Sequence, residues 1–226
     1  MSHSTTIEVA LPFDDAQQQR SAAILGMWIF LATEILFFGG LFVGYAVYRY
    51  EYFEAFREGS HEMSVVGGGL MTAVLLIGSL LVAISDHAIE EASADIDQRK
   101  LRRRLGGYLG ATTLLGVAFL SMEFYEYYEL IHKGLFPGPG FDASSFPASV
   151  RDTQTIQMYF TLFFCMTGLH ALHMVIGISL VGGMAVLLSR SEHPQRYANL
   201  LTGIGLYWHF VDVIWIFLYP LFYLVR

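Results

Sequence analysis

Five long apolar runs divide the 226-residue chain, and each is long enough to cross a bilayer. A transmembrane helix needs about 20 predominantly apolar residues, and longer runs tilt or extend beyond the hydrocarbon. The pattern therefore predicts an all-α, polytopic membrane helix bundle with five transmembrane helices. We expect a polar N-terminal tail at 1–21 and one five-helix domain at 22–226. The runs lie near residues 22–50, 65–88, 104–131, 155–189 and 197–225.

The segments between the runs predict loops and an orientation. Prolines and closely spaced glycines at 136–148 exclude helix there, and the acidic link at 51–64 is expected to be a solvated loop. With the N-terminus inside, inner segments carry eight Lys and Arg and outer segments carry five, and most of that excess lies in the QRKLRRR cluster at 98–104. The positive-inside rule then places the N-terminus inside and, after five spans, the C-terminus outside.

Composition narrows the possible functions. The chain is 54% hydrophobic and 15% charged, with a net charge of −7, so we expect no nucleic-acid partner. Cys165 is the only cysteine. The chain therefore has no pair of cysteines for an internal disulfide or for a cysteine-based metal site.

The last apolar run contains the most unusual polar residues. In YWHFVDVIWIFL at 207–218, His209 and Asp212 are three residues apart and share a helix face, beside Trp208 and Trp215. An ionised Asp near the bilayer centre costs about 2–3 kcal/mol, so Asp212 should face protein and find a partner. His209 is the nearest candidate. A pair that fixes helix orientation is favoured, and a proton relay or a metal site remains an alternative.

Two further carboxylates lie inside apolar runs. Glu34 is near the middle of the first run, and no Lys or Arg lies within one or two helical turns. It should face protein or be protonated, in either a structural or a functional role. Glu123, in the third run, lies deeper than its neighbour Glu126. Gly40 and Gly44 in the first run have the spacing that permits close helix approach.

His170 and His173 form an i,i+3 pair in TGLHALH, in the fourth run. Three residues advance a helix by only about 4.5 Å, whereas stacked haems need ligands several turns apart. A copper or iron site would need a third and a fourth ligand from other spans. We therefore expect structural, hydrogen-bonding histidines, no metal ligand and no catalytic residue in this chain.

Four distinctive segments occur in order along the chain, namely LGMWIFLATEILFFGGLF at 25–42, EYYE at 126–129, TGLHALHMVIG at 167–177 and YWHFVDVIWIFLY at 207–219. Together they resemble subunit III of the haem–copper respiratory oxidases. The likeness covers the chain from Leu25 to its end, in the short five-span form, and YWHFVDVIWIFLY is its most specific part. The family's buried carboxylate falls on Glu34, and its final-helix motif falls on Trp208, His209 and Asp212. Its histidine pair falls on His170 and His173.

The resemblance implies a subunit without a redox centre in a cytochrome c oxidase of the bacterial inner membrane. Haem and copper would lie in the partner subunits. The expected partners are the catalytic subunit I, subunits II and IV, phospholipids held between the helices and a larger respiratory supercomplex. The subunit would stabilise subunit I and support proton uptake during the reduction of oxygen to water.

Other interpretations stay open from the sequence. Quinol oxidases and nitric oxide reductases have related subunits, although the acidic outer link favours a basic donor such as cytochrome c. A small proton-coupled transporter using Glu34 and Asp212 would need internal repeats or broken helices, which are not evident. A b-type cytochrome would use the histidines. Thr202 and Ala198 replace a Glu and a His of the long-form family, so the inner-face groups that would collect protons there are changed here.

Overall fold

The computed structural model describes residues 14–92, 97–147, 150 and 152–226. Five helices in this part of the chain are long and apolar enough to span a membrane, which confirms the five predicted spans. No β-strand occurs among the described residues. The helices are α1 (Ala16–Glu51), α2 (Phe53–His61), α3 (Val65–Glu90), α4 (Gln98–His132), α5 (Thr153–Arg190) and α6 (Ala198–Tyr223), and a 3₁₀ turn (Pro194–Tyr197) precedes α6.

The structure differs from the sequence-based expectation at α1 and in the acidic link, and α4 begins at Gln98, before its apolar run. Helix α1 begins at Ala16, so the end of the predicted polar tail is helical, while residues 1–13 lie outside the described part. The Asp15 side chain accepts a hydrogen bond from the backbone N–H of Gln18 at 2.7 Å, and this cap starts the helix before its apolar run begins. The acidic link contains the short helix α2, which buries Ala55 and Phe56.

The connection from α4 to α5 is irregular, as its prolines predict. Gly134 has a φ of +73°, a conformation that favours glycine, and its carbonyl accepts from the Asp142 N–H at 3.0 Å. Hydrogen bonds from Ser144 hold the pKa of the exposed Asp142 carboxyl below its usual value. Residues 148, 149 and 151 of this connection lie outside the described part.

Helices α3, α4, α5 and α6 form a four-helix body, each packed against its neighbours, and α6 is the most enclosed. In its most apolar stretch 56% of the residues are buried, against 11% in α1. Helix α1 therefore lies at the edge of this body. It packs through Leu31, Phe38 and Tyr45, which recur every seven residues. A Cβ added at Gly40 or Gly44 would meet no described atom within 4 Å, so no described helix makes the close approach that their spacing permits.

Hydrogen bonds fix the register of α3 against the antiparallel α6. The α3 partners recur every seven residues, so they form one row along the helix facing α6. The row continues from one end of the bundle to the other. A slip of α3 by one helical turn against α6 would therefore break all four bonds together. The bonded pairs are Asp86–Thr202 (2.9 Å), Ser79–His209 (2.5 Å), Thr72–Trp215 (3.1 Å) and the Val65 carbonyl with Tyr219 (3.2 Å).

Candidate functional site

Trp208 occupies the centre of the four-helix body on a floor of glycines. Its indole is 1% exposed. A Cβ added at Gly116 of α4 would lie 3.0 Å from the ring, and one added at Gly177 of α5 would lie 3.4 Å from it. On α3, a Cβ added at Gly78 would lie 3.5 Å from the ring. One tryptophan from α6 thus touches all three neighbouring helices, because each presents a residue without a side chain.

Asp212 lies one turn further along α6 and is 3% exposed. The direct Asp212–His209 pair expected from the sequence is not formed. Instead, His209 Nδ1 lies 2.5 Å from the Ser79 hydroxyl on α3, and the same hydroxyl lies close enough to interact with the Asp212 carboxyl. Ser79 therefore lies between His209 and Asp212. These two residues turn their side chains towards α3 and not towards each other.

His170 is completely buried but does not form the hydrogen bonds expected of it. Among the described residues, neither ring nitrogen has a hydrogen-bond partner. The imidazole is held by aromatic rings instead, with ring centroids 5.6 Å from Phe119 and 5.3 Å from Trp215. Trp215 in turn donates its indole N–H to the Thr72 hydroxyl at 3.1 Å. His170 thus packs as an aromatic side chain, which the i,i+3 spacing alone does not reveal.

Glu123 is 1% exposed and lies on the α4 face that meets α5. One carboxyl oxygen lies 3.1 Å from the Tyr127 hydroxyl, and the Tyr127 hydroxyl lies 2.6 Å from the Thr167 hydroxyl of α5. Thr167 also donates to the Phe163 carbonyl at 2.7 Å. Glu123 is therefore part of a polar link between α4 and α5. On α5 the link is made by Thr167, one turn before His170.

Glu34 and His173 join α1 to α5. His173 Nε2 lies 3.1 Å from Glu34 Oε2, and His173 Nδ1 lies 2.8 Å from the Leu169 carbonyl. The Glu34 side chain is 19% exposed and the His173 side chain is 13% exposed. The sequence identified both residues but gave no reason to pair them across 139 positions. His170 and His173 consequently contact different helices, although they are only three residues apart.

A cleft of about 710 Å³ opens between α1, α5 and α6 beside this pair. Its walls are apolar over most of their area, and the Phe30 and Tyr207 rings, with centroids 6.2 Å apart, meet there. Glu34 and His173 also line the cleft, and Arg20 lies at the end where α1 begins. Arg20 is half exposed and lies 3.8 Å from Glu90. The cleft combines a long apolar wall with a cationic group at one end.

Sequence reasoning missed the residues that complete these contacts. Ser79, Thr72, Thr167 and the three glycines around Trp208 are ordinary in transmembrane helices, so their types do not mark them. One signal was available for α3, because Thr72, Ser79 and Asp86 recur every seven residues in a largely apolar run. That period indicates one helix face that meets a neighbour throughout its length.

The candidate residues do not converge on one ligand set. Among the described residues, no group of three or more His, Cys, Asp or Glu side chains could hold a metal ion. Glu34 and His173 lie at the cleft, His209 and Asp212 face α3, and Glu123 faces α5. The arrangement is therefore a set of buried polar links, each of which joins two helices.

The chain is similar in sequence to known proteins over nearly its whole length. The family model of cytochrome c oxidase subunit III matches residues 141–225. The chain is 32% identical to cytochrome c oxidase subunit 3 of Thermostichus vulcanus over 220 residues, which is 96% of this chain and 94% of the relative. It is 26% identical to a probable quinol oxidase subunit 3 of Staphylococcus haemolyticus over 227 residues, or 100% of this chain and 97% of the relative. A haem–copper oxidase subunit I+III of Aeropyrum pernix is 28% identical over 205 residues, covering 88% of this chain and 22% of the relative.

Proposed function

Since the chain belongs to the cytochrome c oxidase subunit III family, we propose that it is the non-redox subunit that stabilises the catalytic subunit of a cytochrome c oxidase. The family works with subunit I of a haem–copper oxidase, and the Aeropyrum pernix relative carries both subunits in its name. The observation that carries the proposal is that buried polar groups in the interior join helices to one another.

The positions of the histidines support a chain without a redox centre. His173 contacts Glu34 and a backbone carbonyl, His209 contacts Ser79, and His170 lies between Phe119 and Trp215. A haem–copper centre needs histidines that converge on a common position. These three point to different neighbours, so the haem and copper of the complex would be held by its other subunits.

The chain is an integral membrane protein, and we propose that it lies in the bacterial inner membrane with its N-terminus inside. The cluster at 98–104 begins α4 at the same end of the bundle as the start of α1, and we call this the basic end. Basic residues collect on the cytoplasmic side. The opposite end carries α2 and the acidic residues of the 51–64 segment.

Cytochrome c is the electron donor that we propose for the complex, because the relative from Thermostichus vulcanus is a cytochrome c oxidase subunit. The acidic link supports cytochrome c as the donor less strongly than its composition indicated, because three of its glutamates are paired with basic residues. Arg57 pairs with Glu54 at 3.0 Å and with Glu58 at 3.1 Å, and Lys133 pairs with Glu62 at 2.9 Å. The quinol oxidase relative makes quinol the second candidate.

Purification of the chain from its native membrane in mild detergent tests this proposal. We expect a haem- and copper-bearing subunit I to co-purify, with subunits II and IV, and the complex to oxidise reduced cytochrome c. This chain should be colourless once dissociated. If the complex oxidises quinol but not cytochrome c, the chain would instead be a subunit of a quinol oxidase. A Soret band that stays with the isolated chain would contradict a subunit without a redox centre.

The cleft is the feature that we propose for phospholipid binding, which would support stability and proton uptake in subunit I. Its apolar walls suit acyl chains along α1, α5 and α6. Arg20 lies at the basic end of the cleft, where an anionic phosphate would compete with Glu90 for the guanidinium. A juxtamembrane basic residue contributes about 1 kcal/mol to the binding of an anionic lipid.

Replacing Arg20 with alanine should weaken retention of anionic phospholipid about fivefold, as the loss of about 1 kcal/mol implies. The amount that stays with the purified complex can be measured by native mass spectrometry with added phosphatidylglycerol. Arg103→Ala is the matched control, because Arg103 is exposed at the same end of the bundle and does not line the cleft. Equal losses in the two variants would show only a general charge effect.

A further inference from the structure

Three short contacts between oxygen atoms form a chain from α4 into α5. Glu123 Oε1 lies 3.1 Å from the Tyr127 hydroxyl, which lies 2.6 Å from the Thr167 hydroxyl. The Thr167 hydroxyl in turn lies 2.7 Å from the Phe163 carbonyl oxygen. Oxygen atoms at these distances need a hydrogen between them, because their lone pairs otherwise repel each other. The chain of contacts therefore needs three hydrogens.

The two hydroxyl groups supply only two of these hydrogens. The Phe163 carbonyl has none, so Thr167 has to donate to it. Tyr127 then donates its single hydrogen to Thr167, across the shorter of its own two contacts. The contact between Glu123 and Tyr127 is left without a hydrogen unless the carboxyl group provides it. A neutral Glu123 does so, because a protonated carboxyl is a donor whereas a carboxylate only accepts.

The surroundings of Glu123 also favour the neutral form. The side chain is 1% exposed, and its second oxygen, Oε2, has no hydrogen-bond partner among the described residues. Its charged neighbour is Glu126, which is also an acid, and no Lys or Arg of the described part of the chain acts on it. A buried carboxylate with an unpaired oxygen and no cation costs far more free energy than a neutral acid with an unpaired carbonyl.

The other helices packed around this position bring no compensating charge. On α5, His170 lies one turn beyond Thr167, and its ring nitrogens have no partner among the described residues. On α6, Tyr223 interacts with Glu123 through space, but its hydroxyl donates to Glu126. The titratable residues of α3 lie near its last turn, at the basic end, whereas Glu123 lies in the opposite half of α4. None of these groups supplies the missing hydrogen.

From these contacts we propose that Glu123 binds a proton and is a neutral acid that donates a hydrogen bond to Tyr127. The proton is then a ligand of this chain, because it completes the hydrogen-bonded link between α4 and α5. Glu126, three residues away, needs no proton of its own. The Tyr223 hydroxyl and the Ser64 backbone N–H already donate to its carboxylate.

Infrared spectroscopy of the assembled complex tests the proposal, because a protonated carboxyl has a C=O stretching band that a carboxylate lacks. Subtraction of a Glu123→Gln spectrum from the native spectrum isolates the bands of Glu123. We expect an acid band at neutral pH, and carboxylate bands in its place would overturn the proposal. Glu126→Gln is the matched control, and its difference spectrum should contain carboxylate bands. Acid bands in both spectra would show a general effect of burial and would contradict the count of hydrogens.

Thr167→Val removes the group that takes up the hydrogen of Tyr127. Tyr127 can then donate to Glu123, which stabilises the carboxylate by a hydrogen bond to a charged group. The pH at which the acid band disappears should fall by about one unit, which is a tenfold loss of proton affinity. Thr161→Val is the matched control, because the exposed Thr161 donates to the Gln157 carbonyl at 2.8 Å on the same helix. An equal pH in the native, Thr167→Val and Thr161→Val complexes would overturn the proposal, even if Glu123→Gln does not assemble.

Stability measured against pH gives an independent readout. The unfolded chain releases the Glu123 proton above about pH 4.3, whereas the folded chain keeps it, so the native chain loses stability as the pH rises. Relative to Glu123→Gln, its equilibrium constant for unfolding should rise about tenfold per pH unit between about pH 5 and about pH 7. A difference in melting temperature between the two complexes that stays constant over this interval would contradict a bound proton.

Discussion

Trp208→Ala is expected to destabilise the folded subunit by about 3–5 kcal/mol, the range measured when large aromatic side chains are removed from cores. The indole touches α3, α4 and α5 at once through Gly78, Gly116 and Gly177. These glycines have no side chains that could move into the space that the ring leaves. The cost should therefore lie in the upper part of the range.

The measurement is the amount of this chain that remains with subunit I after purification and its loss on heating. Trp28→Ala is the matched control, since Trp28 lies on α1 with 56% of its surface exposed and should cost far less. Gly116→Ala should disturb the same contact from the other side, by about 1–3 kcal/mol of overpacking. Its added Cβ would lie 2.7 Å from Ile178 Cγ1 and 3.0 Å from the indole. Equal retention of the Trp208→Ala and Trp28→Ala chains would contradict the central role of Trp208.

His173→Leu is expected to loosen the contact of α1 with the four-helix body, at a cost of about 2–3 kcal/mol. Removing one member of a buried hydrogen-bonded pair costs about 1–3 kcal/mol, because the other group is left without a partner. The expected cost lies in the upper part of that range because the His173 side chain is only 13% exposed and its packing is lost as well. Limited proteolysis and the melting temperature of the complex would both report a loosened α1.

A second substitution separates loss of the pair from loss of packing. Glu34→Leu combined with His173→Leu removes both polar groups, and replacement of both partners by apolar side chains is often nearly neutral. The double variant should therefore recover most of the stability lost in His173→Leu. A double variant that is as unstable as the sum of the two single variants would show that the side chains act independently.

The polar residues at the site were identifiable one by one, but their partners were not. Asp212 was expected to pair with His209, and the structure places Ser79 between them. His170 and His173 were treated as a pair, yet they face different helices. Glu34 was recognised as a carboxylate without a nearby cation on its own helix, and its partner lies 139 residues away. Such errors arise because sequence spacing describes one helix at a time.

The sequence by itself determined the class of the protein and the number and approximate positions of its spans. Hydrophobicity over about 20 residues is a local property that the bilayer selects directly, and the uneven distribution of Lys and Arg predicts the orientation in the same way. It also singled out the polar residues inside the spans, because their burial in an apolar phase is costly unless they are partnered.

Only the tertiary structure decided which of these groups meet. The rotation of each helix about its axis and its register against its neighbour are set by packing between residues far apart in the chain. Gly78, Gly116 and Gly177 matter because Trp208 fills the space above them, and nothing local distinguishes them from other glycines. The row from Val65 to Asp86 on α3 likewise acquires its role only when α6 lies antiparallel to it, with a bonding partner opposite each step.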